Sequence, residues 1–210
     1  MSEDPTVLQH VWLVRHGEQV RRRDGELTMR GTQQAGAVMR RLRTEPIGRI
    51  VISPARRTRE SAMPFLTERP AVPVRVDGRA RERMEYDPPV VDDASWEAFR
   101  DAWDRTERDR DLVPAVGDSS RAAAARLRDL IDESLPDAGD LVVVTHGGII
   151  RDLLRDILSD EEMRSLRPDA LAGLQHGSIT RLDVVARGYH VGGIGTTEHL
   201  PRSLPADPRQ

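Results

Sequence analysis

The sequence contains no cysteine, no lysine and no asparagine. The absence of cysteine excludes disulfide bonds and thiolate metal sites. All 32 basic residues are therefore arginines, a pattern that is typical of a GC-rich genome. A run of arginines is consequently weaker evidence for a binding site in this chain than in most others.

The sequence also lacks a long apolar run and a strong net charge of either sign. No apolar stretch approaches the length of a membrane span, and residues 1–10 lack the apolar centre of a signal peptide. The formal net charge of -3 provides no basic field that would attract nucleic acid. We therefore expect a cytoplasmic protein that binds neither membranes nor nucleic acid.

Short β-branched runs alternate with amphipathic segments along the chain, which is typical of an α/β domain. Strands are predicted at 10–14, 49–53, 72–76 and 141–145, with a closing hairpin at 178–185 and 189–191. Helices are predicted within 28–45, 55–64, 120–134 and 146–158. Pro73 favours an edge position for the third strand, because proline cannot donate a hydrogen bond to a neighbouring strand.

The segment from Asp77 to Ser120 does not fit this alternation. It is charged and proline-containing, and one amphipathic helix within it is marked by Trp96, Phe99 and Trp103. We interpret the segment as a cap-like insertion over the sheet edge, and the proline-rich residues after about 200 as a flexible tail. The prediction is thus a single domain over residues 1–210.

Two of the predicted strands end in similar polar groups, "VRHGE" at Val14–Glu18 and "VTHGG" at Val144–Gly148. Ligands of open α/β sheets bind beyond the carboxyl ends of parallel strands, so His16 and His146 are expected to converge there. Each histidine alone could instead be a structural residue or a metal ligand. Neighbouring arginines disfavour a metal cation and favour an anion.

The arginines point to phosphate as that anion. Arg15 precedes His16, and "SPARRTRESA" places Arg56, Arg57 and Arg59 at a predicted helix start beyond another strand. A helix N-terminus offers free N–H groups and partial positive charge to an anion. Guanidinium groups match pairs of phosphoryl oxygens. These features predict a phosphate site at one sheet edge.

The motifs "RHGE", "LTMRGTQQA", "SPARRTRESA" and "VTHGG" occur in this order and together resemble the ordered motifs of the histidine phosphatase superfamily. That superfamily includes the cofactor-dependent phosphoglycerate mutases, and the resemblance covers about residues 11–200. It implies a three-layer α/β sandwich with a mixed, mainly parallel sheet between helices. It also implies action on a small-molecule phosphomonoester without a metal or an organic cofactor.

The resemblance further implies the role of each site residue. His16 would be the nucleophile, and Arg15, Arg57 and a protonated His146 would stabilise the phosphoryl group, with Gly17 and Gly147 in close contact with it. The family's Leu-x-Glu element favours Glu82 over Glu85 as the general acid, although Ala80 replaces the leucine. Glu18 is a weaker third candidate.

Departures from the family pattern favour a hydrolase over a mutase. The asparagine that relatives often carry after this motif is absent, and the stretch between Glu18 and Leu27 is short. Arg21, Arg22 and Arg23 in that stretch form either a basic rim or a solvated loop. The remaining histidines are interpreted as structural; they are His10, His176, His190 and His199.

The leading hypothesis is therefore a metal-independent phosphomonoesterase that acts through a phosphohistidine. A phosphoglycerate mutase-type phosphoryl transferase and a non-catalytic module that binds phosphate ligands are the alternatives. The sequence leaves a homodimer open, through a sheet edge or the insertion helix.

Overall fold

The computed structural model describes residues 6–20, 24–86 and 92–201. Within these ranges a six-stranded sheet has the order β3-β2-β4-β1-β5-β6. The strands are β1 (Gln9–Arg15), β2 (Ile47–Ile52), β3 (Val74–Val76), β4 (Asp140–Thr145), β5 (Ile179–Val185) and β6 (Gly188–Thr196). The α-helices are α1 (Met29–Leu42), α2 (Arg56–Glu68), α3 (Asp93–Arg108), α4 (Ser120–Ser134), α5 (Gly147–Ile157) and α6 (Asp160–Leu166). No helix in the described ranges is both long and apolar enough to cross a membrane.

The sheet is mixed and mainly parallel, as predicted. Strands β1 to β4 pair in parallel, whereas β5 is antiparallel to β1 and β6 is antiparallel to β5. Strand β3 pairs with β2 at the edge of the sheet, which is the position that Pro73 indicated. This arrangement places the carboxyl ends of the four parallel strands at one edge.

Helices cover both faces of the sheet, which confirms the three-layer sandwich. Alternate residues of β1 belong to two hydrophobic clusters, because successive side chains of a strand point to opposite faces. Leu13 packs in the cluster that contains α4 and α5 residues, and Val14 packs in the cluster that contains α1 and α2 residues. The central strand β4 is buried along its whole length.

Helix α2 is longer than the sequence predicts. The expected end at Pro64 is wrong, because the helix continues to Glu68 with Pro64 inside it. Proline removes one helical hydrogen bond, which costs about 3 kcal/mol in an isolated helix. The fully buried side chain of Phe65 packs in the second cluster and offsets much of this cost.

The strand ends bring three polar residues together. Arg15 of β1 is in register with Thr145 of β4, and the His16 backbone N–H donates to the Thr145 carbonyl over 3.0 Å. The Ser53 N–H, just after β2, donates to the Val144 carbonyl over 3.0 Å. His16, Ser53 and His146 therefore lie side by side at the carboxyl edge.

Candidate active site

His16 is buried at the end of β1, with one ring nitrogen engaged. Its Nδ1 lies 2.8 Å from the Gly17 carbonyl oxygen. A carbonyl only accepts hydrogen bonds, so Nδ1 carries the proton and Nε2 of the neutral ring keeps its lone pair. Burial lowers the pKa of His16 well below its usual value, and the nearby His146 and arginines lower it further. His16 is thus a neutral imidazole with Nε2 available.

His146 lies beside His16, with 5.2 Å between the ring centroids. Its Nε2 is 2.8 Å from Ser53 Oγ, and its Nδ1 is 3.0 Å from Arg57 Nη2. A guanidinium only donates, so Nδ1 is unprotonated and Nε2 carries the hydrogen. Burial, then Arg57 and Arg15, hold the pKa of His146 well below its usual value.

The resemblance implied a protonated His146, whereas the hydrogen bond from Arg57 and the lowered pKa favour a neutral ring in this structure. The physical reason is that two arginines already supply positive charge beside a fully buried ring. A second positive charge there would be both desolvated and repelled.

Arg57 is the arginine of the α2 motif that points into the site. Residues 57, 58, 61, 62 and 65 form the buried face of α2, and Arg56 and Arg59 lie on the exposed face. The Arg57 Nη2 group also donates to Glu85 over 2.8 Å, and Glu85 remains about 42% exposed. Arg57 thus bridges a buried histidine and a carboxylate at the surface.

Arg56 has a different environment. Its side chain pairs with Glu60 over 2.7 Å on the helix surface, and its backbone N–H donates to Asp24 over 2.7 Å. Because Asp24 occupies this N–H group, that part of the α2 N-terminus already holds an anionic side chain.

Arg15 is the second arginine close to His16. Its guanidinium donates to the Leu174 carbonyl and, over 2.9 Å, to His176 Nε2. Burial lowers the pKa of Arg15 to about 10, with an opposite effect from Glu82. Arg15 remains a cation at neutral pH and is held against the α5 N-terminus, where a Cβ added to Gly147 would lie 3.0 Å from Arg15 Cδ.

His176 belongs to this cluster, although the sequence analysis interpreted it as structural. Its ring centroid is 5.3 Å from that of His16. Burial, followed by Arg15 and Arg30, lowers the pKa of His176 to about 3. The sequence does contain a feature that could have identified His176, namely "HGS" just before β5. Because β5 runs antiparallel to β1, β5 begins at the edge of the sheet where β1 ends.

Glu82 caps helix α5. Its carboxylate accepts hydrogen bonds from the Gly148 N–H over 3.0 Å and from the Ile149 N–H over 2.8 Å. These N–H groups belong to the first turn of α5, so Glu82 lies at the positive end of the helix dipole. The structure therefore places Glu82 beside His146 and Arg15, whereas Glu85 contacts the site through Arg57.

Glu18 organises the loop after His16. Its carboxylate accepts from Thr28 Oγ1 over 2.9 Å, and its backbone N–H donates to Gln34 Oε1 over 2.8 Å. A Cβ added to Gly31 would lie 2.0 Å from the Glu18 carbonyl oxygen, so α1 packs directly on this loop. Gly17 is held in turn, because its N–H donates to Ser61 Oγ over 2.9 Å.

A cavity of about 530 Å³ adjoins the cluster on the side of Arg15 and His176. Glu18, Arg30 and Gln34 form another part of its lining. Arg21, Arg22 and Arg23, proposed from the sequence as a rim, lie outside the described residues, as do residues 87–91 of the insertion and the tail from 202.

Comparisons with known proteins identify the family of this chain. The family described as "Histidine phosphatase superfamily (branch 1)" matches residues 11–196. "Probable phosphoglycerate mutase GpmB" of Erwinia tasmaniensis is 31% identical over 214 residues, which cover 90% of this chain and 94% of that protein. A mycobacterial glucosyl-3-phosphoglycerate phosphatase, solved in complex with VO3, is 27% identical with a TM-score of 0.72, over 90% of this chain and 100% of the other.

The structure of Bacillus stearothermophilus YhfR has a TM-score of 0.71 over 92% of this chain and 100% of that chain. At 22% sequence identity, this similarity shows that the two proteins share a fold. The family match spans all four motifs that the sequence analysis singled out. The chain therefore belongs to the histidine phosphatase superfamily, as the order of those motifs predicted.

Proposed function

We propose that this protein hydrolyses small phosphomonoesters through a transient phosphohistidine at His16. The observation that carries the proposal is the hydrogen bond between His16 Nδ1 and the Gly17 carbonyl. It fixes the tautomer whose Nε2 lone pair is free, in a ring that burial and neighbouring cations keep neutral. An unprotonated nitrogen among cations is the arrangement that attack on a phosphate dianion requires.

In the first step, His16 Nε2 attacks phosphorus in line with the leaving oxygen. The N–P bond forms as the P–O bond of the ester breaks. Arg15, which contacts His176, and Arg57, which contacts His146, would neutralise the equatorial oxygens, with His146 and the Gly147 N–H as further contacts. The Arg57–Glu85 ion pair would open to admit the phosphate, since Glu85 is partly solvated.

The leaving alkoxide needs a proton, and we assign its donation to Glu82. The two N–H groups of α5 support its position beside His146, and a phosphate dianion bound next to it would favour the protonated carboxyl group. After the alcohol departs, the resulting carboxylate takes a proton from water as the water attacks phosphorus. The N–P bond then breaks, inorganic phosphate is released, and Glu82 is again protonated.

A phosphoglycerate mutase is the second candidate, because the relative from Erwinia tasmaniensis carries that name. A mutase must keep water from the phosphohistidine while the substrate reorients. The short stretch after Glu18 and the phosphatase named among the structural neighbours support hydrolysis instead.

The proposal is tested by measuring phosphate release from an aryl phosphate in the presence of a chelator. We expect turnover by the natural chain and none by His16→Ala. In parallel, 3-phosphoglycerate should be hydrolysed faster than it is isomerised. Faster isomerisation would favour the mutase, and phosphate binding without turnover would favour a non-catalytic module.

A further inference from the structure

Arg83, the residue after Glu82, is fully buried although it carries a charge. Its Nη1 donates to Asp152 over 2.6 Å, and its Nη2 donates to Glu107 over 2.7 Å. Its guanidinium carbon lies 4.1 Å from the centroid of the Trp103 ring. The side chain is thus fixed by two carboxylates and one aromatic face, which belong to helices α3 and α5.

Glu82 and Arg83 contact the same helix, α5, at two successive turns. Glu82 accepts from the Gly148 and Ile149 N–H groups in the first turn of α5, and Arg83 binds Asp152 in the next turn. Successive residues of an extended segment point in different directions, so two such contacts fix both the position and the rotation of the segment.

A buried ion pair is a weak source of stability, because desolvation cancels most of its attraction. An apolar residue of similar volume would hold α3 on α5 about as well. A guanidinium adds directional donors that admit only one orientation of its partners. The network therefore has more value for geometry than for stability.

Resting on the proposed function, we propose that Arg83 is a positioning residue for the general acid. Through Asp152 it holds the Glu82 carboxyl at the α5 N-terminus, where a leaving oxygen can receive its proton. Asp152 is a suitable partner because its other neighbour, Ser120 Oγ, donates to the same oxygen over 2.8 Å and fixes the carboxylate in turn.

The leaving group separates this role from a purely structural one. An aryl phosphate such as p-nitrophenyl phosphate expels a stable phenolate and needs little help from an acid, whereas an alkyl phosphate needs the proton. Misplacing the acid by about 1 Å costs roughly 100-fold for a reaction that depends on it. Arg83→Met, Arg83→Lys and Asp152→Asn should therefore lower kcat for propyl phosphate by about 10- to 100-fold.

The same variants should change kcat for p-nitrophenyl phosphate by less than about threefold and leave KM nearly unchanged. Arg155→Gln is the matched control, because Arg155 contacts the same Glu107 but neither Glu82 nor Arg83. It should leave the ratio of the two kcat values unchanged. Arg83→Lys and Asp152→Asn preserve the size of the side chain and keep the test valid where Arg83→Met does not fold.

Equal losses on both substrates, or a changed ratio in Arg155→Gln, would overturn this inference and leave the proposed function intact. Absence of turnover of both substrates by the natural chain would overturn the proposed function itself, and the inference with it.

Discussion

Arg57 Nη2 donates a hydrogen bond to His146 Nδ1 over 3.0 Å. The contact sets the state of the site before substrate arrives, because a histidine that accepts from a guanidinium cannot be an imidazolium. Ser53 occupies the other ring nitrogen. The positive charge beside the two buried histidines therefore comes from Arg15 and Arg57.

Phosphate binding should accordingly be coupled to proton uptake. A dianion beside His146 favours the imidazolium, whose Nδ1–H can then donate to a phosphoryl oxygen. At pH 8 we expect uptake of up to about one proton per inorganic phosphate bound. Titration calorimetry in buffers of different ionisation enthalpy measures this number, and His146→Gln should reduce it. Unchanged uptake in that variant would contradict the assignment.

The two candidate acids should respond differently to removal of their charge. Glu82→Gln loses the proton donor, so the rate for an alkyl phosphate should fall by about 10²- to 10⁴-fold while an aryl phosphate is affected far less. Glu85→Gln should leave the alkyl-to-aryl ratio unchanged. It should tighten inhibition by inorganic phosphate by up to about fivefold, since Arg57 loses a competing and partly solvated carboxylate. Steady-state kinetics with both substrates measures these rates. A changed alkyl-to-aryl ratio in Glu85→Gln, with an unchanged ratio in Glu82→Gln, would refute the assignment of Glu82.

Two glycines of α1 provide a matched pair for packing against the nucleophile loop. Gly31→Ala would place a Cβ 2.0 Å from the Glu18 carbonyl oxygen, so the free energy of unfolding should fall by about 1–3 kcal/mol and kcat should fall with it. Gly36→Ala meets only the flexible end of Arg40 at 3.4 Å and should raise the free energy of unfolding by about 0.5–1 kcal/mol. Urea unfolding measures both free energies. An unchanged free energy of unfolding in Gly31→Ala would show that the loop after His16 can move to accommodate the added methyl group.

Stability should decrease as the pH falls below about 6.5, the usual pKa of histidine. His16, His146 and His176 have lowered pKa values in the folded protein, so below that pH the unfolded chain binds more protons. For His176 this window extends down to about pH 3. Each group contributes at most about 1.4 kcal/mol per pH unit.

Asp152 acts with the opposite sign, because burial raises its pKa to about 7 and the folded protein binds its proton first. Its effect on the pH dependence of stability therefore cancels that of about one of the three histidines. Urea unfolding between pH 6.5 and 4.5 should therefore show a net loss of stability, with a shallower slope for His176→Gln. The control His190→Gln, on the exposed side of β6, should keep the original slope. A flat profile for the natural chain would contradict the buried, neutral histidines.

The sequence was sufficient to predict the site residues that lie at the ends of strands or on the buried face of a helix. His16 and His146 end parallel strands, so their convergence required only the sheet rule, and Arg57 shares the buried face of α2 with residues at helical spacing. His176 was missed because its position depends on the antiparallel pairing of β5 with β1, which links distant residues.

The protonation of His146 and the environment of Arg83 lay beyond sequence reasoning for a related reason. Both depend on which side chains from separate segments occupy one buried volume. No local pattern shows that Arg57 faces His146, or that α3 brings Glu107 to Arg83.

The central claim is tested most directly by trapping the phosphoenzyme. A radiolabelled phosphomonoester is mixed with the protein and quenched within one turnover, and the label is assigned by its chemical stability and by peptide mapping. We predict a label that is lost in acid, survives in base and maps to His16, with His10→Ala labelled like the natural chain and His16→Ala unlabelled. Turnover without any labelled protein, or a label that persists in His16→Ala, would contradict the account.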